Sequence, residues 1–356
     1  MTNPAGANPP VSVIMTALEE SRHLAEAVGS VFQQDYPGPL ELVVAVGPSS
    51  DGTERIAADL AARHGGRMKV LHNPTGRTPA GLNIAIASVD AASTVIVRTD
   101  GHAHLPHDYV RTAVEVLQDT KAANVGGMMV PEGISSFERA VARAMSEKIG
   151  MGSAQFHIGG QPGPADSVYL GVFARDVLER TGGFDEHFAR AQDWELNKRI
   201  RNLGEVVWFD PRLQVRYRPR GSVRGLARQF HGSGMWRWQV IRAYPDTVNL
   251  RYLAAPSVTA AIGLAAATLL IDAVVVHSAS LAVAAATVPA GYLVAITLGA
   301  LATRRGLDRD ATALYPVALV TMHLSWGLGF LRAAWGDLSA TVRTGLRRPR
   351  SLRSAT

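Results

Sequence analysis

The sequence contains no cysteine, which excludes a disulfide framework, a thiolate metal site and a thiol nucleophile. Charged residues are also scarce, at 19% of the 356 residues, while hydrophobic residues reach 47%. A chain of this length allows two or three domains. The hydrophobic excess lies after residue 253, so the composition predicts a soluble-type region followed by an apolar one.

Acidic residues are outnumbered by basic ones, and the formal net charge is +6. A basic chain can indicate nucleic-acid binding, but here the arginines cluster beside the apolar region. We therefore expect an anionic lipid bilayer as a partner and no nucleic acid. The N-terminal sequence lacks a basic stretch followed by an apolar core. No signal peptide is predicted, and the N-terminal region is expected in the cytoplasm.

Apolar runs alternate with helical patterns between residue 11 and about residue 130. The predicted strands are 11–18, 40–47, "MKVLHNP" and "STVIVRTD". The first predicted helix runs from Glu19 to Gln33, and the second follows an N-cap at Asp51. The third is "TPAGLNIAIAS", and the fourth is "PHDYVRTAVEVLQDTK", which starts at its proline. This alternation predicts an α/β fold with a mostly parallel sheet and helices on both faces. Ligands of such sheets bind beyond the carboxyl ends of the strands.

Three apolar stretches follow, at about 254–276, 279–302 and 313–335. The first two are long enough to cross a bilayer. The segment between the second and third carries Arg304, Arg305 and Arg309. The positive-inside rule places this segment in the cytoplasm, so the first two stretches are predicted to form a membrane hairpin.

The third stretch has two interpretations: a crossing, or a re-entrant or interfacial helix. A crossing would place five arginines outside the cell, against the positive-inside rule; these are Arg343, Arg347, Arg348, Arg350 and Arg353. The sequence leaves both interpretations open.

The fourth predicted strand ends in "RTDGHA". An Asp-Gly pair can be a turn in which the aspartate caps its own backbone. At the end of a parallel strand, however, Asp100 and His102 can also hold Mg²⁺ or Mn²⁺ together with substrate phosphates. An imidazole ligand favours Mn²⁺ somewhat over Mg²⁺.

Two loops and one helix start carry further polar residues. "GPSSDGT" (47–53) reads either as an ordinary loop and helix cap or as a wall of a nucleotide pocket. Arg77 precedes a helix, either exposed to solvent or within reach of a diphosphate. In "AQDWEL" (191–196), Asp193 and Glu195 cannot both face one site on a helix. Both can be helix-terminal acids, but Asp193 is our candidate for a base that takes a proton from a hydroxyl.

Together these motifs resemble a family 2 glycosyltransferase with the GT-A fold, within the ExoA-like branch of membrane-bound exopolysaccharide enzymes. The resemblance covers about residues 11–240. The corresponding segments, in the family order, are "VSVIMTALEE", "GPSSDGT", "GRTPAGLN", "RTDGHA", "GGFDE" and "QDWEL". "RQFHGSGMWR" is similar to the Gln-x-x-Arg-Trp segment of related enzymes, with altered spacing.

The resemblance implies roles for individual residues. Asp193 would be the general base, and Asp100 with His102 would bind Mn²⁺ or Mg²⁺. The implied donor-binding residues are Thr16, Glu19, Ser49, Asp51, Arg77, Asn83 and Asp100. The implied acceptor or gating residues are Asp166, Gln192, Gln229, Trp236 and Arg237.

The sequence departs from the family pattern at three places. The usual Asn-Glu after the first strand corresponds to Leu18-Glu19. The aspartate that normally binds the nucleobase of the donor corresponds to Val46 or Gly47. Recognition of uracil is therefore not implied, and the donor is either UDP-linked or GDP-linked, or its nucleobase is bound by backbone groups. The metal motif is Asp-x-His rather than Asp-x-Asp, a variant that occurs in the ExoA-like branch.

We therefore expect an inverting, metal-dependent glycosyltransferase of the inner membrane, multi-pass, with its catalytic domain in the cytoplasm. Its donor would be a nucleotide diphosphate sugar and its acceptor polyprenyl-linked. The alternatives are transfer to polyprenyl phosphate itself and an inactive membrane scaffold of the same fold. The predicted division is a disordered tail (1–10), a GT-A domain (11–220), amphipathic interfacial helices (221–253), a transmembrane region (254–338) and a basic tail (339–356).

Overall fold

The structure, a computed structural model, describes residues 8–346, with side chains to residue 339. Residues 1–7 of the predicted disordered tail and 347–356 of the predicted basic tail lie outside the described residues. The chain divides into two compact units. The first, here called the sheet unit, comprises the chain up to Ile134 and Met145–Pro219. The second, the helical unit, comprises Ser135–Ala144 and the chain from Arg220 onward.

The sheet unit contains eight described strands. They are β1 (Val11–Ala17), β2 (Leu40–Val46), β3 (Met68–His72), β4 (Val95–Asp100), β5 (Asn124–Pro131), β6 (Gly163–Pro164), β7 (Tyr169–Ala174) and β8 (Val207–Tyr217). The helices associated with them are α1 (Leu24–Phe32), α2 (Thr53–His64), α3 (Thr78–Ile86), α4 (Tyr109–Thr120), α5 (Ser136–Ser146, shared with the helical unit), α6 (Lys148–Met151), α7 (Gln155–Ile158), α8 (Arg175–Thr181) and α9 (Gln192–Asn202).

The strands form one sheet in the order β3-β2-β1-β4-β7-β5-β8-β6. The first four strands in this order are mutually parallel, as predicted, and β5 is parallel to β8. Strand β7 is antiparallel to both β4 and β5. The fold is therefore the mostly parallel α/β arrangement expected from the sequence, with an antiparallel strand inserted beside β4.

Alternate residues of the central strands enter separate cores on the two faces of the sheet. Val13 and Val97 belong to a cluster that also contains buried residues of α1, α2 and α4. Ile14 and Ile96 belong to the other cluster, with residues of α3, α8 and α9. Because both faces are covered, β1 and β4 contain runs of adjacent apolar residues, Val13–Met15 and Val95–Val97, rather than a strict alternation.

Several predicted boundaries differ from the structure. The first helix begins at Leu24 rather than Glu19. Gly52, not Asp51, is the N-cap of α2, although the Asp51 carboxylate accepts a hydrogen bond from the backbone N–H of Thr53. Helix α4 begins at Tyr109 rather than at the proline. In each case the side chains seen in the sequence as helix starts lie in the preceding loop.

The helical unit contains four long helices: α10 (Val223–Ala243), α11 (Leu250–Ile271, continued by a π-helical turn at Asp272–Val276), α12 (Ala279–Thr303) and α13 (Arg309–Leu346). Three helical segments in the described chain are long and apolar enough to cross a membrane: Leu250–Val276, Ala279–Thr303 and Arg309–Ser339. The third differs from the others in burial. In its most apolar 18-residue stretch 39% is buried, compared with 11% and 6% in the first and second segments.

Close backbone contacts hold α13 against α10 and α11. A Cβ atom at Gly234 of α10 would clash with the carbonyl of Trp326, and one at Gly329 with the carbonyl of His231. A Cβ atom at Gly327 would likewise clash with Ala255 or Thr259 of α11. Glycine therefore permits backbone-to-backbone packing at these crossings.

The segment Ser135–Ala144 belongs to the helical unit although both of its flanks belong to the sheet unit. Arg139 Nη2 lies 2.6 Å from Asp308 Oδ2. The guanidinium of Arg143 donates to the carbonyl of Arg305. This segment is thus bound to the loop between α12 and α13.

Candidate active site

The candidate site lies at the carboxyl ends of β1 and β4. Thr16 of β1 is paired in register with Asp100 of β4 and with Ala45 of β2. The backbone N–H of Ala103 donates to the carbonyl of Asp100, so the chain turns immediately after the strand. A Cβ atom at Gly101 would lie 3.1 Å from the carbonyl of Thr16. Glycine thus allows the turn after β4 to approach the end of β1 closely.

A buried guanidinium connects two carboxylates of this site. Arg98 is only 4% exposed. Its Nη2 donates to Asp100 Oδ1 over 2.7 Å, and its Nη1 lies 3.4 Å from Asp193 Oδ2. Arg98 therefore bridges the candidate metal ligand and the candidate base, which are far apart in sequence.

Helix α9 brings Asp193 to this position. The residue before the helix, Ala191, adopts a left-handed backbone conformation with φ 61°, which is strained for a residue other than glycine. Asp193 Oδ1 is buried and has no hydrogen-bond partner within the described part of the chain. The Asp193 side chain as a whole is 29% exposed, so a ligand hydroxyl can reach the carboxylate, although not through Oδ1.

Glu195 points elsewhere. It is fully buried, and its carboxylate accepts from Nε and Nη2 of Arg199, each over 2.7 Å. Arg199 in turn donates to the carbonyls of Thr181 and Gly183. Glu195 thus stabilises the loop before α9, and only Asp193 of the two acids faces Arg98.

The electrostatics of the site follow from burial. Burial raises the pKa of Asp193 above its ordinary value, and the negative charge of Asp100 adds to this, whereas Arg98 lowers it. Burial would lower the pKa of Arg98, but Asp100 and Asp193 together raise it above its ordinary value. Arg98 is therefore a permanent cation beside a carboxylate that binds a proton more readily than an exposed aspartate.

His102 is oriented by a carboxylate that the sequence motifs did not suggest. Glu20 Oε1 lies 2.7 Å from His102 Nδ1, and both side chains are partly buried. A carboxylate on one ring nitrogen fixes the tautomer in which the other nitrogen can coordinate a metal. A Cβ atom at Gly101 would lie 3.2 Å from Glu20 Cγ, so the same glycine also leaves room for Glu20.

The possible metal ligands of this site suit a divalent ion that keeps other ligands. No group of three or more His, Asp or Glu side chains suited to a metal exists among the described residues. Asp100 and His102 alone offer one carboxylate and one imidazole. Such a pair fits Mn²⁺ or Mg²⁺ that takes its remaining ligands from phosphate oxygens and water, and does not fit a structural zinc site.

The loop 47–53 holds the turn after β1. Glu19 has φ 56°, and its backbone N–H donates to Ser49 Oγ. The backbone N–H groups of Glu20 and Ser21 donate to Thr53 Oγ1 and Asp51 Oδ2. In this structure the predicted donor-binding residues of the loop bind the turn that carries Glu20.

The carboxylate of Glu19 completes this arrangement from the other side. Its Oε1 accepts from the backbone N–H and the hydroxyl of Ser50. The hydrogen bonds of Asp51 with Thr53 and Ser21 lower its pKa. The turn and the loop therefore hold each other in a defined position.

Arg77 and Asn83 contact the loop after α8. The Asn83 amide donates to the carbonyl of Phe184 and accepts from its N–H, over 2.8 Å in each case. Arg77 Nη2 donates to the carbonyl of His187 over 3.3 Å and is exposed. Asn83 thus fixes the "GGFDE" loop, whereas the Arg77 guanidinium is bound more loosely.

The predicted acceptor and gating residues are dispersed. Gln192 is buried at the start of α9. Asp166 is exposed and lies 3.4 Å from Arg201 Nη1. Gln229, Trp236 and Arg237 lie on α10 in the helical unit.

Comparison with known proteins identifies the family. The model of the family described as "glycosyltransferase like family 2" matches residues 9–239. The chain belongs to this family. It is therefore a glycosyltransferase, and its mostly parallel sheet with flanking helices is the GT-A fold.

Relatives were found among both curated proteins and solved structures. The chain is similar to the succinoglycan biosynthesis protein ExoA of Rhizobium meliloti (strain 1021), with 29% identity over 90% of this chain and 93% of that protein. A dolichyl N-acetyl-alpha-D-glucosaminyl phosphate 3-beta-D-2,3-diacetamido-2,3-dideoxy-beta-D-glucuronosyltransferase of Methanococcus voltae is 22% identical, over 65% of this chain and 74% of that one.

A solved structure has a similar fold. It is the mannosyltransferase PcManGT from Pyrobaculum calidifontis in complex with GDP-Man and Mn²⁺. The TM-score is 0.57 at 21% identity, covering 93% of this chain and 89% of that one. At this identity the likeness concerns the fold alone.

Proposed function

We propose that this glycosyltransferase transfers a sugar from a nucleotide diphosphate donor to a polyprenyl-linked acceptor, with inversion and with a divalent metal ion, in the synthesis of an exopolysaccharide or related glycan. The observation that carries the proposal is the bridge of Arg98 between Asp100 and Asp193. It joins a candidate metal ligand and a candidate base in one site at the carboxyl ends of parallel strands, where such folds bind ligands. The similarity to ExoA supports the biosynthetic role.

In this mechanism Asp193 accepts the proton of the attacking acceptor hydroxyl. Its side chain is 29% exposed, and the carboxylate would receive the proton through its accessible part. Its raised pKa makes the carboxylate a stronger base than an exposed aspartate. Arg98 holds Asp193 in place through Oδ2 and compensates the negative charge of two neighbouring carboxylates.

Asp100 and His102 would hold the metal ion, and Glu20 would orient His102 through Nδ1. When bound, a divalent ion between these residues and the donor would neutralise the charge that develops on the departing diphosphate. The Mn²⁺ named with the structurally similar mannosyltransferase supports this assignment. The turn 19–21 and loop 47–53 would form the adjoining wall of the donor pocket, and Arg77 would contact the diphosphate.

We further propose that α11 and α12 cross the membrane as a hairpin and that the sheet unit is cytoplasmic. Arg304 and Arg305 follow α12, as the positive-inside rule requires of a cytoplasmic loop. Arg139 and Arg143 bind that loop. They belong to a short segment that returns to the sheet unit at both ends, so the loop and the sheet unit would lie on the same side of the bilayer.

The experiment uses the full chain in lipid nanodiscs with polyprenyl-linked acceptors. Nucleotide release and sugar transfer are measured for UDP-linked and GDP-linked sugars, with Mn²⁺, with Mg²⁺ and with EDTA. We expect transfer from one donor class that EDTA abolishes and Mn²⁺ restores. Equal transfer in EDTA would overturn the metal assignment, and the absence of transfer from every donor tested would overturn the proposed reaction.

A further inference from the structure

The contacts of α13 with α10 and α11 determine whether α13 can cross the bilayer. Helix α10 carries Arg224, Arg228, Arg237 and Arg242 along its 21 residues, and it is not one of the apolar segments able to span a bilayer in the described chain. It ends at Ala243, shortly before α11 begins at Leu250. The C-terminal end of α10 and the start of α11 therefore lie on one face of the bilayer.

The C-terminal half of α13 packs on this end of α10. Asp337 accepts from Trp238 Nε1 over 2.7 Å and from Arg242 Nη1 over 2.9 Å. The ring of Trp238 lies edge-on to Phe330, with 5.4 Å between their centroids. Gly327 packs against Ala255 and Thr259, in the first turns of α11. The segment 326–337 thus lies at the face where the first span begins.

The N-terminal end of α13 lies at the same face. Helices α11 and α12 form a hairpin, so the end of α12 returns to the side where α11 began. There the hydroxyls of Thr303 and Tyr315 are 2.9 Å apart, and Arg139 binds Asp308 in the intervening loop. The start of α13 and its segment near Asp337 are therefore both anchored to elements on one side of the membrane, while between them His323 Nδ1 lies 3.2 Å from the hydroxyl of Tyr292 in the middle of α12.

Helix length makes this arrangement incompatible with a crossing. From Tyr315 to Asp337 the helix rises by roughly 33 Å at 1.5 Å per residue, which is about the thickness of the hydrocarbon core. A crossing would carry Asp337 to the opposite face from Thr303. The contacts of Asp337 with Trp238 and Arg242 keep it on the original face.

We infer that α13 is not a third span: it lies obliquely within the cytoplasmic half of the bilayer, reaching Tyr292 of α12 through His323, with lipid as its partner. This inference rests on the membrane hairpin proposed above. Exposed apolar side chains of α13, Leu328, Trp335 and Leu338, would contact acyl chains, as in interfacial helices.

The absence of cysteine makes the inference directly testable. Single cysteines are introduced as Ser280→Cys at the hairpin tip, Asp310→Cys at the start of α13 and Thr356→Cys at the C-terminus. Intact cells are treated with a membrane-impermeant maleimide, with and without permeabilisation. We expect Ser280→Cys to be labelled in intact cells, and the other two only after permeabilisation.

Labelling of Thr356→Cys in intact cells would overturn the inference while leaving the hairpin and the proposed function intact. Failure of Ser280→Cys to be labelled in intact cells, with labelling after permeabilisation, would overturn the hairpin itself and the inference with it. A periplasmic-reporter fusion at residue 356 gives a second readout: it should be inactive, whereas an active reporter would contradict the inference. Each variant is first checked for sugar transfer.

Discussion

Arg98 in the sheet unit is 4% exposed, whereas Leu264 in α11 is 71% exposed. A charged side chain is thus buried in the sheet unit, whereas an apolar side chain is exposed in the helical unit. In the sheet unit a buried guanidinium is stabilised by two carboxylates, since an unpaired buried charge is costly. In the helical unit exposed leucine and valine side chains lie on helices that are long and apolar enough to cross a membrane. Burial of a charge and exposure of apolar side chains thus distinguish the two units.

The largest effect is expected at the charged site. Asp193→Asn should reduce sugar transfer by about 10²- to 10⁴-fold, because a general base contributes in that range. Asp176→Asn is the matched control, since Asp176 is an exposed partner of Arg180 on α8. Initial rates with saturating donor are measured together with thermal unfolding. A rate within a few-fold of the unmodified protein would contradict the assignment of the base.

Removal of the bridging cation tests the stability of the buried network. Arg98→Met should destabilise the protein by about 3 kcal/mol, because it leaves two partly buried carboxylates, 21% and 29% exposed, without their counter-charge. Arg111→Met removes a surface pair with Asp35 and Glu115 and should cost less than about 1 kcal/mol. Urea unfolding of each variant, followed by tryptophan fluorescence, compares the two free energies of unfolding. An equal loss in the free energy of unfolding for the two variants would show that Arg98 stabilises the protein no more than a surface ion pair does.

The third prediction compares two leucines of equal exposure, one in each unit. Leu293, in the middle of α12, is 52% exposed, and Leu203, after α9, is 50% exposed. Leu293→Arg should oppose membrane insertion by about 2.5–3.5 kcal/mol, whereas Leu203→Arg should change stability by no more than about 0.5 kcal/mol. The fraction of protein integrated into membranes is the measurement. Similar integration of both variants would remove the proposed difference between the units.

The smallest effect concerns the orientation of His102. Glu20→Ala should weaken Mn²⁺ binding by roughly 10- to 100-fold, the range seen when the carboxylate behind a ligating histidine is removed. Glu26→Ala removes a comparable partner, 3.8 Å from His104, and should leave the affinity unchanged. Electron paramagnetic resonance titration with the nucleotide donor measures both. Unchanged affinity in Glu20→Ala would exclude the orienting role without affecting the proposed reaction.

Much of the fold was predictable because apolar runs such as Val95–Val97 report burial on both faces of a parallel sheet. The antiparallel insertion of β7 was not predicted, since its pairing with β4 joins segments that no local pattern relates. The change in helix starts has a similar cause: Asp51 bonds to Ser21 as well as to Thr53, and the first of these partners is distant in sequence.

Motif order led to Asp100, His102 and Asp193, whose roles stay predictions. The structure brings the first and last of these together through Arg98. Arg98 itself was missed, since an arginine near a strand end looks like a surface residue until its partner from α9 is known. Glu20 was missed for the same reason. The donor-binding roles of Ser49, Asp51 and Asn83 stay predictions.

The assignment of Ser135–Ala144 to the helical unit has a practical consequence for expression of the enzyme in parts. A soluble fragment ending near Pro219 would retain this segment while losing Asp308 and Arg305, to which Arg139 and Arg143 are bound. Its side chains Ala140, Val141 and Ala144, buried in the whole protein, would then lack part of their surroundings. The middle of such a fragment would have to be redesigned, because a cut before the long apolar helices does not by itself separate the two units.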